Sequence, residues 1–180
     1  TFTGYAWFRR SCTLESDMTG LVSILTLERT RVSTLYIDGA EIGTCDSLCS
    51  THRYDISSYM TAGTHEIVIR VANVGYKTGG GHMTSPDTQT NWLGIVGKMN
   101  IEIYPKSYIS DVRVIASADG SLSVRGTANG ADNAVVTATV TAPGGIRVLK
   151  ANIIADGDTF EAEFRLENAQ LWDEFERNIY

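Results

Sequence analysis

Nowhere in this 180-residue chain do apolar residues run for the roughly 20 positions needed to cross a bilayer, and its first residues lack the layout of a signal peptide. Helical spacing of apolar residues is hardly seen either, so no helix longer than a turn or two is required. Positive charge is in deficit: 15 Lys and Arg against 21 Asp and Glu leave a net charge of −6. That balance sets aside nucleic acid and anionic membrane as main partners. No internal repeat and no low-complexity linker is found. The apolar and charged fractions, 43% and 20%, are ordinary, which argues against disorder. An initiating Met is absent, from which a mature or trimmed form is expected. A periplasmic or secreted setting is expected ahead of a cytoplasmic one.

What the chain does have is alternation. In His65-Glu66-Ile67-Val68-Ile69-Arg70-Val71, residues Ile67, Ile69 and Val71 share one face while Glu66 and Arg70 share the other. Val136, Ala138, Val140 and Ala142 alternate in the same way with Thr137, Thr139 and Thr141. Such β-branched runs suit a pleated, half-buried surface. Turn signals punctuate them at Asp38-Gly39, Ala62-Gly63, Asp119-Gly120, Pro143-Gly144-Gly145 and Asp156-Gly157. Short, regularly spaced strands with this punctuation predict a sandwich or barrel.

A domain boundary falls at Pro105-Lys106, because proline removes a ladder donor and stops the strand that runs from Met99 to Tyr104. Residues 1–105 hold every Cys and His and most of the aromatics. Residues 106–180 predict strands near 109–117, 121–126, 134–142, 146–154 and 158–166, with a sixth toward Tyr180. That pattern suits a small immunoglobulin-like sandwich short of its last strand.

Several motifs, in order, carry a resemblance. Gly4-Tyr5-Ala6-Trp7-Phe8-Arg9-Arg10 opens the chain and Leu171-Trp172-Asp173-Glu174-Phe175-Glu176-Arg177-Asn178-Ile179-Tyr180 closes it. Between them lie Leu35-Tyr36-Ile37-Asp38-Gly39-Ala40-Glu41-Ile42-Gly43, His52-Arg53-Tyr54-Asp55-Ile56-Ser57-Ser58-Tyr59, the strand from Gly63 to Asn73, and Asn91-Trp92-Leu93-Gly94-Ile95 followed by Met99-Asn100-Ile101. Together they resemble the front half of glycoside hydrolase family 2, whose members include β-galactosidases, β-glucuronidases and β-mannosidases. The chain departs from the family where both prolines of the closing motif are absent, and where Val96-Gly97-Lys98 replaces an Arg and an acidic residue. The resemblance implies an all-β chain: a galactose-binding-like jelly-roll sandwich over 1–105, N-terminally truncated, then an immunoglobulin-like β-sandwich over 106–180.

A glycosidase needs two carboxylates set about 5 to 9.5 Å apart, and the family carries them on a barrel of about 250 residues. By that resemblance no catalytic residue is expected here. Glu66, Glu161 and Glu163 sit in alternating patterns, where a solvated sheet face is the ordinary role. The stretch between Asn73 and Asn91 is too long for a plain hairpin connection and is the place to look for ligand contacts. Its Tyr76, His82, Asp87, Gln89, Asn91 and Trp92 supply the aromatic faces and hydrogen-bonding groups of a sugar site, and the family's matching loop borders the substrate pocket. The alternative is that Gly79-Gly80-Gly81 makes the loop floppy and Trp92 packs beneath it. Trp7 invites a sugar-stacking role, but a strand inside a sandwich, with Arg9 and Arg10 reaching acidic neighbours or solvent, is expected instead. Trp172 is expected to anchor the second domain or its contact with a barrel.

Cys45, Cys49 and His52 have the spacing of part of a zinc site without a second half. Free thiols in and near a hairpin are the ordinary reading, and a short disulfide between Cys45 and Cys49 is the alternative if the protein is exported. No metal and no cofactor is expected. The functional expectation is a non-catalytic accessory segment that braces a catalytic barrel and frames its carbohydrate pocket. A stand-alone carbohydrate-binding module and a purely structural sandwich pair are the alternatives. Unpaired strand edges would let copies associate into a homo-oligomer.

Overall fold

The computed structural model describes residues 2–76, 84–85, 87 and 93–180. The chain divides into two compact units, Thr1–Pro105 and Lys106–Tyr180. Among the described residues the only helical segment is a single 3-10 turn, Ser57–Tyr59, and no helix is long and apolar enough to cross a membrane. Among the described residues every strand pairing is antiparallel, so the chain adopts the all-β sandwich class that its alternation predicts.

The first unit contains β1 (Tyr5–Leu14), β2 (Val22–Arg29), β3 (Val32–Ile37), β4 (Ala40–Cys45), β5 (His52–Asp55), β6 (Gly63–Ala72) and β7 (Val96–Tyr104). They form two sheets, β1-β6-β3-β4 and β5-β2-β7. As the alternation requires, β6 turns Ile69 and Val71 inward, with Ile67 packed beside them. They meet Leu25 and Leu27 from β2, Leu35 and Ile37 from β3, and Ile56. The β3–β4 hairpin closes at Asp38 and Gly39, whose φ values of 52° and 83° are those of a type I′ turn. The Asp38 carboxylate also accepts the Glu66 N–H at 2.7 Å, tying the turn to β6.

A buried polar network crosses this core. Ser33 Oγ lies 2.6 Å from His52 Nδ1 and 2.7 Å from Tyr54 Oη. His52 Nε2 lies 2.7 Å from the Ser47 carbonyl. A carbonyl only accepts, so Nε2 carries the proton and Nδ1 accepts from Ser33.

β1 lies at the edge of its sheet, and Tyr5, Trp7 and Phe8 are exposed. One strand bound needs correction. β7 begins at Val96 rather than Met99. It starts early because Gly97, at φ 82°, lets the chain pass close to Glu28, whose carboxylate accepts the Lys98 N–H at 2.7 Å.

The second unit contains β8 (Tyr108–Ala116), β9 (Ser121–Asn129), β10 (Val135–Thr141), β11 (Arg147–Ile154) and β12 (Thr159–Arg165), in sheets β12-β9-β8 and β10-β11. Phe160, Leu122, Val124, Ala128 and Ile153 are its buried core, with Val136, Ala138 and Val140 against it. The sixth strand expected toward Tyr180 does not form: 166–180 contains no strand. Its backbone is committed locally instead. Asp173 accepts the N–H groups of Phe175 and Glu176 at 2.8 and 2.6 Å, and the Gln170 N–H donates to the Tyr180 hydroxyl at 2.8 Å.

Candidate functional site

Of the six residues expected to line a sugar site, the structure describes two. Tyr76 follows β6 closely and stacks on Arg31, whose guanidinium carbon lies 5.9 Å from the ring centre. Arg31, in the β2–β3 turn, is 2% exposed. Beside it the Thr30 hydroxyl donates to the Gly94 carbonyl at 3.1 Å, which pins the start of the β7 approach to the same turn. Partial burial pushes the Tyr76 phenol above its usual pKa, and the Arg31 charge opposes that shift. Tyr76 thus stays protonated near neutral pH, a hydroxyl donor on a fixed aromatic face. Asp87 is exposed, its N–H donating to Ser85 Oγ at 3.1 Å, and it is not brought to Tyr76 by any described contact. His82, Gln89, Asn91 and Trp92 lie outside the described residues, as do Gly79, Gly80 and Gly81.

The other candidates resolve differently. Both ring nitrogens of His52 are held by Ser33 and Ser47, which removes it from a ligand set with Cys45 and Cys49. All three cysteines are free thiols, and among the described residues no group of three or more His, Cys, Asp or Glu is placed to hold a metal. Glu66 pairs with Arg9. Glu161 and Glu163 are exposed on β12, opposite in face to the buried Phe160.

A second arrangement lies on the outer face of β1-β6-β3-β4. The register sets Trp7 of β1 against Arg70 of β6, and Arg70 against Thr34 of β3. On that outer face the Arg70 guanidinium lies 5.4 Å from the Tyr5 ring centre and 5.8 Å from that of Trp7, and its Nη2 donates to Thr34 Oγ1 at 2.9 Å. The Trp7 and Tyr36 rings are 5.9 Å apart, inclined by 34°. Alternation in β1 already puts Tyr5, Trp7 and Arg9 on one face. Their partners come from strands far along the chain, which no local pattern predicts.

No family model matches the sequence, and no curated protein matches it. Solved structures do match. A Faecalibacterium prausnitzii β-glucuronidase superposes with a TM-score of 0.70 and 19% identity, covering 96% of this chain and 33% of its own. A Bacteroides uniformis β-glucuronidase gives 0.73 and 19%, covering 95% and 23%. A Bifidobacterium dentium β-glucuronidase complexed with coumarin-3-O-glucuronide gives 0.70 and 18%, covering 94% and 34%. At these identities the likeness establishes the fold. The chain spans between 23% and 34% of the length of these three proteins.

Proposed function

We propose that this chain is a non-catalytic accessory segment of a glycoside hydrolase family 2 enzyme, acting to brace a catalytic barrel and frame its carbohydrate pocket. The observation that carries this reading is that nearly the whole chain follows the fold of β-glucuronidases while spanning a third or less of their length in the two Faecalibacterium and Bacteroides examples. β-Glucuronides are therefore the first substrates to test, ahead of β-galactosides and β-mannosides. Two features of the molecule support the assignment. In the second unit, Ile109, Val112 and Val114 of β8 face an open apolar cleft and are about half exposed, which suits a surface that further protein covers. In the first unit, Tyr76 fixed on Arg31 is a suitable rim element, with an aromatic face and a hydroxyl donor.

The test is a panel of aryl β-glucuronide, β-galactoside and β-mannoside offered to this chain and to the longest product of its gene. Hydrolysis of one of the three by the longer protein alone names the sugar and supports the reading. Hydrolysis of none by either protein overturns it.

A further inference from the structure

The outer faces of the two sheets in the first unit are built on different chemistry. On β5-β2-β7, Arg53 lies 2.8 Å from Glu102, and the Tyr104 hydroxyl donates to the same carboxylate at 2.8 Å. Those two contacts lower the Glu102 pKa, with the Tyr104 hydrogen bond the larger cause. The face is a closed polar ladder in which the cation has its anion. On β1-β6-β3-β4, Arg9 is likewise paired with Glu66. Arg70 differs: among the described residues no carboxylate pairs with it, and its company is Thr34 and the rings of Tyr5 and Trp7. Tyr5 and Trp7 are 56% and 59% exposed. Glu41, the acid of β4 at the opposite edge of the sheet, lies across from Tyr36 in the register.

We infer that Tyr5, Trp7, Tyr36 and Arg70 form a binding platform for an acidic glycan, one whose pyranose units carry carboxylates. Exposed Trp and Tyr rings present rigid apolar faces on which the C–H face of a pyranose can rest, at little cost in side-chain entropy. Tyr5 and Trp7 are two residues apart on one strand, roughly 6.8 Å along it, so the rings follow each other on an open sheet and suit an extended chain of sugars. A guanidinium lying over two aromatic rings and anchored by one hydroxyl keeps N–H donors without a partner among the described residues in a planar fork, the geometry that pairs with a carboxylate. In a molecule of net charge −6, a cation with no carboxylate partner among the described residues is the local feature an anionic ligand would find. A neutral glycan would stack but leave Arg70 unpaired. This site is distinct from the Tyr76 region and does not depend on the accessory reading.

The experiment is calorimetric titration of the intact 180-residue chain with hyaluronan octasaccharide and with galacturonate and alginate hexamers, against cellohexaose as the neutral control. Trp7→Ala, Tyr5→Ala and Arg70→Lys are the variants, each checked for an unchanged far-UV spectrum and melting temperature. Binding of at least one uronate oligosaccharide is expected, at least tenfold tighter than cellohexaose. It should weaken at least tenfold in Trp7→Ala and in Arg70→Lys, and several-fold in Tyr5→Ala. Because Tyr5 and Trp7 are on an edge strand and exposed, a folded form of at least one of these variants is expected. No binding of any uronate at millimolar concentration overturns the inference and leaves the face as a surface for protein. Equal affinity for the neutral hexamer, or affinity indifferent to the folded variants, overturns it as well.

Discussion

The two units use the same strand alternation and end with different interiors. In the first, both inner faces are closed: Leu27, Leu35 and Ile56 are fully buried, and even the polar Ser33 and His52 are sealed in and hydrogen-bonded to each other. In the second, three strands face only two, and a cleft of about 770 Å³ remains between the sheets. The segment carrying Leu171, Trp172 and Tyr180 reaches this cleft without filling it. Val114, at the middle of β8 with its side chain toward the cleft, is 58% exposed. Alternation decides which face a side chain takes. Whether that face is covered depends on how many strands the opposite sheet supplies.

Truncation at matched inward positions should separate the two units most. Leu35→Ala in the first unit should cost about 4 kcal/mol, the usual loss for a buried leucine that leaves a cavity. Val114→Ala in the second should cost no more than about 0.5 kcal/mol, as at other exposed sites. Urea unfolding followed by far-UV circular dichroism measures both, and equal losses would mean that β8 is covered in solution.

Next in size is Gly126→Ala on β9. An added Cβ there would lie 2.2 Å from the Asp111 carbonyl oxygen and 2.6 Å from Phe160 Cζ. A backbone oxygen cannot swing aside as a side chain can, so about 3 kcal/mol is expected. The melting temperature of the variant checks it, and a mild effect would show that the second unit is loose throughout rather than open only at its cleft. Gly39→Ala should be smaller, about 1 kcal/mol, because φ is 83° but nothing lies near the new Cβ.

The smallest effect expected is a pH dependence at the same turn. His65 Nδ1 lies 2.6 Å from Asp38. That hydrogen bond is the first cause both of a raised His65 pKa and of a lowered Asp38 pKa. The raised His65 value means its contribution is fully present below the unfolded pKa of about 6.5 and is lost as pH climbs through the folded value. For Asp38 the contribution is present above the unfolded value of about 3.9 and is lost as pH falls through the folded one. Asp38→Asn keeps a residue that tolerates the turn geometry and removes the charge. The difference in melting temperature between the natural chain and this variant should therefore be larger at pH 5.5 than at pH 8.5. A pH-independent difference would contradict the pairing.

The outcomes sort by how far apart in the chain their causes lie. Ile69, Val71, Val136 and Val140 reveal their faces within a few residues of sequence, and Asp38-Gly39 reveals its turn in two. The meeting of Trp7 with Arg70 and Tyr36 needs the register of three strands, and that register is set by long-range pairing which local alternation does not encode. The segment 171–180 misleads for the opposite reason. Its apolar residues read as strand-like, but the Asp173 side chain captures backbone N–H groups that a strand would give to a neighbour. Likewise the spacing of Cys45, Cys49 and His52 does not reveal that His52 is a core residue, because its partners Ser33 and Ser47 are invisible to a motif built on cysteines.

The most direct measurement of the central claim is the rate of aglycone release from an aryl β-glucuronide, with this 180-residue chain and the longest product of its gene assayed at equal concentration. The account predicts turnover by the longer protein and a rate no greater than the uncatalysed background from the 180-residue chain. Turnover by the 180-residue chain itself would contradict the claim that it is an accessory segment without catalytic residues.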